Sequence, residues 1–136
     1  MNPQTILRIE GAAALGVALG GYYFLGGPLW LLLVLALAPD LSMLGYLRGP
    51  RLGSVTYNFA HTYTVPVVVG AVGYGVGAPT LTLVALVWIG HIGADRLVGY
   101  GLKSPTGFTQ THLSVEPQET AVPQGESPIA DATKPR

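Results

Sequence analysis

Cysteine is absent from this 136-residue chain. That removes disulfides, thiolate catalysis and Cys-based zinc sites together, and it leaves no signal for a redox compartment. Charge is scarce as well. Asp, Glu, Lys and Arg make up 10% of the residues, against about 25% in an ordinary soluble domain, so there is too little polar material for a watery surface. Neither sign predominates, with seven bases facing seven acids. No basic stripe exists that could track the phosphates of a nucleic acid. What the chain has in abundance is apolar residues, 49% of the total.

The few charges are unevenly spread. Glu116, Glu119, Glu126 and Asp131 lie with Lys134 and Arg136 at the C-terminal end. The Pro-, Gln-, Ser- and Thr-rich composition around them cannot bury a core, so residues 114–136 read as a disordered polar tail. Residues 1–113 read as a membrane domain with three acids and five bases. Within it lie four apolar stretches, Gln4 to Leu25, Pro28 to Leu47, Leu52 to Val76 and Pro79 to Leu102. Each has roughly the 20 residues needed to cross about 30 Å of hydrocarbon. Glycine and proline mark the breaks: Gly26-Gly27-Pro28, Arg48-Gly49-Pro50-Arg51, and Gly75 through Pro79. The expected fold is all-α, a polytopic four-helix transmembrane bundle whose short loops make neighbours antiparallel. Pro39 and Pro66 fall inside spans and predict kinks there. Arg8 before the first apolar run is the flank of a signal peptide, but Glu10 interrupts the charge pattern and no small-residue cleavage site leads into a soluble domain. The first span is therefore expected to stay.

Orientation follows from the bases. Arg8, the Arg48–Arg51 loop, and Arg96 with Lys103 all belong to one side, and the other two connections hold no Lys or Arg. The positive-inside rule then puts both termini on the cytoplasmic side of the inner or plasma membrane. Gly16 and Gly20, and likewise Gly73 and Gly77, are four apart on one helical face. Such faces let membrane helices approach closely, within the chain or between copies in a homo-oligomer.

This topology gathers the intramembrane polar residues at one level. Glu10, Asp40, His61, His91 and Asp95 come from four spans, and at 1.5 Å per residue each lies between about 9 and 16 Å from the cytoplasmic end. Each charge at such depth costs about 2.5–3.5 kcal/mol on insertion scales, so a shared purpose is the natural reading. His91 and Asp95 are four apart and project from one face. With Asp40 and His61 they form an acceptable ligand set for zinc or another divalent ion with an open position. A water there would be deprotonated near neutral pH and attack a phosphoryl or acyl centre. Asn58, Tyr57 and Tyr63 stand near enough in sequence to orient ligands or substrate. Arg96 could neutralise an anionic headgroup. Asp95, Glu10 and His112 are the candidate catalytic acids or bases, and the turn-rich segment Gly101 to Leu113 could fold back to bring His112 in. The competing reading is a non-enzymatic protein whose buried ion pairs only specify packing, or whose polar groups pass protons or a small solute.

The blocks APDLSMLGYL (Ala38 to Leu47), YNFAHTY (Tyr57 to Tyr63), HIGADRLVGYGLK (His91 to Lys103) and TGFTQTHL resemble the bacterial membrane family called domain of unknown function 4260. The resemblance covers Leu7 to Leu113 and implies no activity. A looser likeness is to the YdjM-type membrane-bound metal-dependent hydrolases. Pro39-Asp40 resembles their first block, His61 their second, and His91 with Asp95 their third, although Ser42 stands where their second aspartate would be. What that likeness implies is a single-metal site of a metal-dependent hydrolase, and the expected function is hydrolysis of a lipid-linked or phosphorylated substrate in the lipid bilayer.

Overall fold

The computed structural model describes residues 1–106 and Thr111. The tail expected over 114–136 lies outside the described residues. The described chain is all-α: α1 Pro3–Phe24, α2 Leu29–Leu35, a 3₁₀ helix Ala38–Arg48, α3 Pro50–Ala60, α4 Thr64–Gly75 and α5 Pro79–Val98. Two of the four expected spans are interrupted, and proline explains where. A proline ring clashes with the carbonyl four residues earlier and offers no N–H to it. For Pro39 that carbonyl belongs to Leu35, and α2 ends at Leu35. For Pro66 it belongs to Thr62, and the chain breaks between Ala60 and Thr64. Pro66 then sits in the first turn of α4, where a backbone N–H has no helical partner to lose. The interruptions are thus sharper than kinks, and each falls on the N-terminal side of its proline.

After Pro39 the chain winds more tightly. Asp40 N–H donates to the Leu37 carbonyl at 3.1 Å, a three-residue reach in place of four, and the 3₁₀ helix runs for 11 residues. Its greater rise, about 2.0 Å per residue, makes that run roughly 22 Å long. The combined segment Leu29–Arg48 and the helix α5 are each long and apolar enough to cross a membrane.

Helix α5 is the hub. It packs along α1 and α4 and touches α2 and the 3₁₀ helix, while α3 packs on the 3₁₀ helix. The α1–α5 crossing is a backbone-to-backbone approach. A Cβ on Gly11 would stand 2.7 Å from the Gly93 carbonyl oxygen, and one on Gly93 would stand 2.7 Å from both the Gly11 oxygen and the Leu15 nitrogen. The glycine pairs noted in the sequence are used unequally. Gly73 packs against Thr82, but a Cβ on Gly16 or Gly20 would meet nothing within 4 Å among the described residues. At the far end of the bundle Tyr22, Leu83 and Val87 form a small core covered by Leu31 and Leu32. The Tyr22 hydroxyl donates to the Pro28 carbonyl at 2.7 Å and ties the α1–α2 turn down.

Candidate metal centre

The breaks at Pro39 and before Pro66 free backbone carbonyls, and apolar surroundings require that each find a donor. Three side chains of α5 donate to such carbonyls, and one of them, His91, belongs to the site. With Asp40 N–H turned to Leu37, the Ala36 carbonyl has no helical partner, and His91 Nδ1 lies 2.6 Å from it. At the end of α3, Trp88 Nε1 donates to the Ala60 carbonyl and Arg96 Nη2 donates to the His61 carbonyl at 3.1 Å. His61 Nδ1 lies 2.9 Å from the carbonyl of Tyr57, one turn earlier.

These contacts decide the chemistry of the two imidazoles. A carbonyl oxygen only accepts, so Nδ1 of both His61 and His91 is the donor there, and Nε2 is the atom each ring turns toward the other. The two Nε2 atoms face each other at 3.2 Å. Two lone pairs so close repel unless a positive species, a shared proton or a metal ion, sits with them. Asp40 Oδ1 lies 3.5 Å from His61 Nε2 and 3.4 Å from His91 Nε2. Asp40, His61 and His91 thus form a group whose ligand atoms could hold a metal ion. The triangle with these three edges has a circumradius of about 1.9 Å, so a point about 2.0–2.1 Å from all three atoms exists just off their plane, as zinc–nitrogen and zinc–oxygen bonds require. A backbone carbonyl on the far nitrogen of each ring is the usual support of a metal-ligating histidine.

Asp95 flanks the group. Its Oδ2 is 3.5 Å from His61 Nε2 and 3.8 Å from His91 Nε2, and Tyr57 donates its hydroxyl to it at 3.4 Å. The Tyr57 ring also stacks on His61 at a centroid distance of 3.8 Å. Burial grades across the cluster, from His61 at 2% side-chain exposure through His91 at 9% and Asp95 at 20% to Asp40 at 41%. The site is therefore closed behind the histidines and open on the Asp40 side.

Other residues singled out in the sequence have different work. Glu10 is exposed on α1, and among the described residues no hydrogen bond or ion pair joins it to the cluster. His112 lies outside the described residues. Asn58 does not face the cluster: its Oδ1 accepts from Lys103 N–H at 2.7 Å and its Nδ2 donates to the Lys103 carbonyl at 2.9 Å, clamping the segment after α5 onto α3. Lys103 also forms an antiparallel bridge with Thr111. The Lys103 ammonium lies 4.9 Å from the Tyr57 ring centroid. Burial holds it below the ordinary lysine value, and the Asp95 carboxylate opposes that shift. Arg96 is engaged with two carbonyls, those of His61 and Tyr100. Gly99, at φ +99°, ends α5 in the left-handed conformation, with Tyr100 N–H returning to the Asp95 carbonyl at 2.7 Å. The roles of Trp88 and the Ala36 carbonyl were not legible in the sequence, because they depend on which helix lies opposite the proline breaks.

Fold and site together define an all-α chain with two membrane-length apolar segments and an Asp/His/His group of metal-binding geometry. The chain belongs to the family described as Domain of unknown function (DUF4260), whose profile matches residues 4–115. No curated protein and no solved structure matches it, and the likeness to the YdjM-type hydrolases finds no support.

Proposed function

We propose that this is a four-span integral membrane protein carrying one divalent metal ion, zinc by preference, on Asp40, His61 and His91, and that it hydrolyses a lipid-linked or phosphorylated substrate. Both termini face the cytoplasm. The observation that carries the reading is the pair of Nδ1–carbonyl contacts, which turn both Nε2 atoms onto one point beside Asp40 Oδ1. The membrane setting is supported by the many large apolar side chains on the surface, Leu29, Trp30, Leu33, Val34, Leu41 and Leu44 among them, a pattern that lipid satisfies and water does not.

Three protein ligands and one open position are the arrangement of catalytic rather than structural zinc. A divalent ion held by Asp40, His61 and His91 would supply a nucleophilic water near neutral pH. Asp95, next to both imidazoles but outside the three-residue group, is placed to hold and return a proton as general base and acid. Tyr57 holds the Asp95 carboxylate in place and, by stacking, fixes the plane of His61.

Elemental analysis of protein purified without a metal-affinity tag tests this. Near-stoichiometric metal is expected, lost in His91→Ala and Asp40→Ala with helical content retained, and kept in Asp95→Asn, which loses hydrolysis alone. Protein that stays metal-free after supplementation, with unchanged fold and thermal stability, overturns the proposal in favour of a shared proton and a purely structural network.

A further inference from the structure

The bundle has two clefts of similar size. One, about 450 Å³, is lined by residues such as Leu35, Pro39, Phe59 and Trp88, with no ionisable group among the described residues of its wall. The other, about 420 Å³, lies between α1, α2, the 3₁₀ helix and α5, and its wall holds both apolar and ionisable side chains. Leu15 and Leu19 of α1, Leu32 of α2 and Val87 of α5 make it apolar; Asp40, His91 and Asp95 line the same cleft. Gly90 and Ala94 also line it and alternate along α5 with His91 and Asp95, so small side chains leave the room that the polar ones face. Positive charge stands at the same end of α5. The Arg8 guanidinium lies against Gly99, Arg96 is anchored to the Tyr100 carbonyl, and the Lys103 ammonium is over the Tyr57 ring.

We propose that the cleft between α1, α2 and α5 holds the hydrocarbon tail of an anionic amphiphile whose phosphate reaches the metal centre, so that the substrate is a lipid phosphate rather than a soluble one. This rests on the metal-dependent reading above and selects its substrate class. The volume falls within the roughly 300–1,000 Å³ of ligand sites, which are typically apolar with a few convergent polar groups. A soluble phosphate ion has no use for the leucine wall. A helix from a second copy is too thick, because about one turn of a cylinder 10–12 Å across already fills that volume. An extended hydrocarbon chain suits it and can enter sideways from the bilayer.

The test uses the full chain in detergent, loaded with zinc, and a hexadecyl phosphate carrying a photoreactive diazirine at the tail end. Labelling is expected at Leu15, Leu19 or Leu32. It should fall at least tenfold in Leu15→Trp and Leu19→Trp, whose zinc content stays that of the parent, and it should be competed by hexadecyl phosphate but not by inorganic phosphate. Labels spread over lipid-facing residues such as Leu33, Leu41 and Leu44, indifferent to either tryptophan, overturn the tail site while zinc retention leaves the metal centre standing. Competition by inorganic phosphate alone overturns the lipid class in favour of a soluble phosphate. Disulfide-linked dimers of a Leu19→Cys variant, clean because the chain has no other cysteine, overturn it in favour of a second copy. A sample that takes up no zinc overturns the reading beneath the proposal and the proposal with it.

Discussion

Replacing Pro39 by alanine tests whether the metal centre depends on the broken second span. Pro39 is buried and contributes no polar atom to the cluster, so its effect must pass through the backbone. Alanine restores an N–H for the Leu35 carbonyl and relieves the ring clash, which lets α2 continue. Asp40 N–H then turns from the Leu37 to the Ala36 carbonyl, the acceptor that His91 Nδ1 now uses at 2.6 Å. His91 loses the contact that sets its tautomer, and Asp40 rotates because an α-helix advances by 100° per residue where a 3₁₀ helix advances by 120°. Loss of one such supporting contact costs about 10–100-fold in metal affinity, or about 1.4–2.7 kcal/mol. The assay is competition for zinc against a chelator of known affinity, with circular dichroism to follow helix content. Wild-type affinity in Pro39→Ala would refute the argument that the proline break frees the Ala36 carbonyl for His91.

Three further outcomes follow from the packing and topology. Gly93→Leu should disrupt the α1–α5 crossing, because even a Cβ there would stand 2.7 Å from backbone atoms; overpacking of this kind costs about 1–3 kcal/mol or more, whereas Gly16→Leu should leave thermal stability in detergent unchanged. Asn58→Ala removes the two hydrogen bonds from its side chain to the Lys103 backbone, about 0.5–1.5 kcal/mol each, and should speed amide exchange over residues 101–104 while zinc content holds. A reporter fused after Leu113 should be active only in the cytoplasm; activity on the opposite side would reverse the topology.

Sequence alone determined the helical class, two of its four expected membrane-length segments, Leu29–Arg48 and α5, and the identity of the polar residues worth watching. The reason is local: hydropathy over about 20 residues and the spacing of His91 and Asp95 on one helical face are properties of contiguous chain. Asp40, His61, His91 and Asp95 were picked out because ionisable groups in apolar runs are expensive wherever the helices lie. Tertiary structure decided the rest. Glu10 has the same sequence signature as Asp40 yet faces outward, because Gly11 next to it is the residue that α1 turns toward α5. Asn58 and Arg96 look like ligand or headgroup contacts; in the fold Asn58 holds the Lys103 backbone and Arg96 the carbonyls of His61 and Tyr100. The protonation of both imidazoles depends on the carbonyl opposite each Nδ1. For His61 that partner is one turn away, but for His91 it lies 55 residues earlier, on a helix end opened by a proline. Pairings at that separation are fixed by packing, which no local pattern of residues encodes.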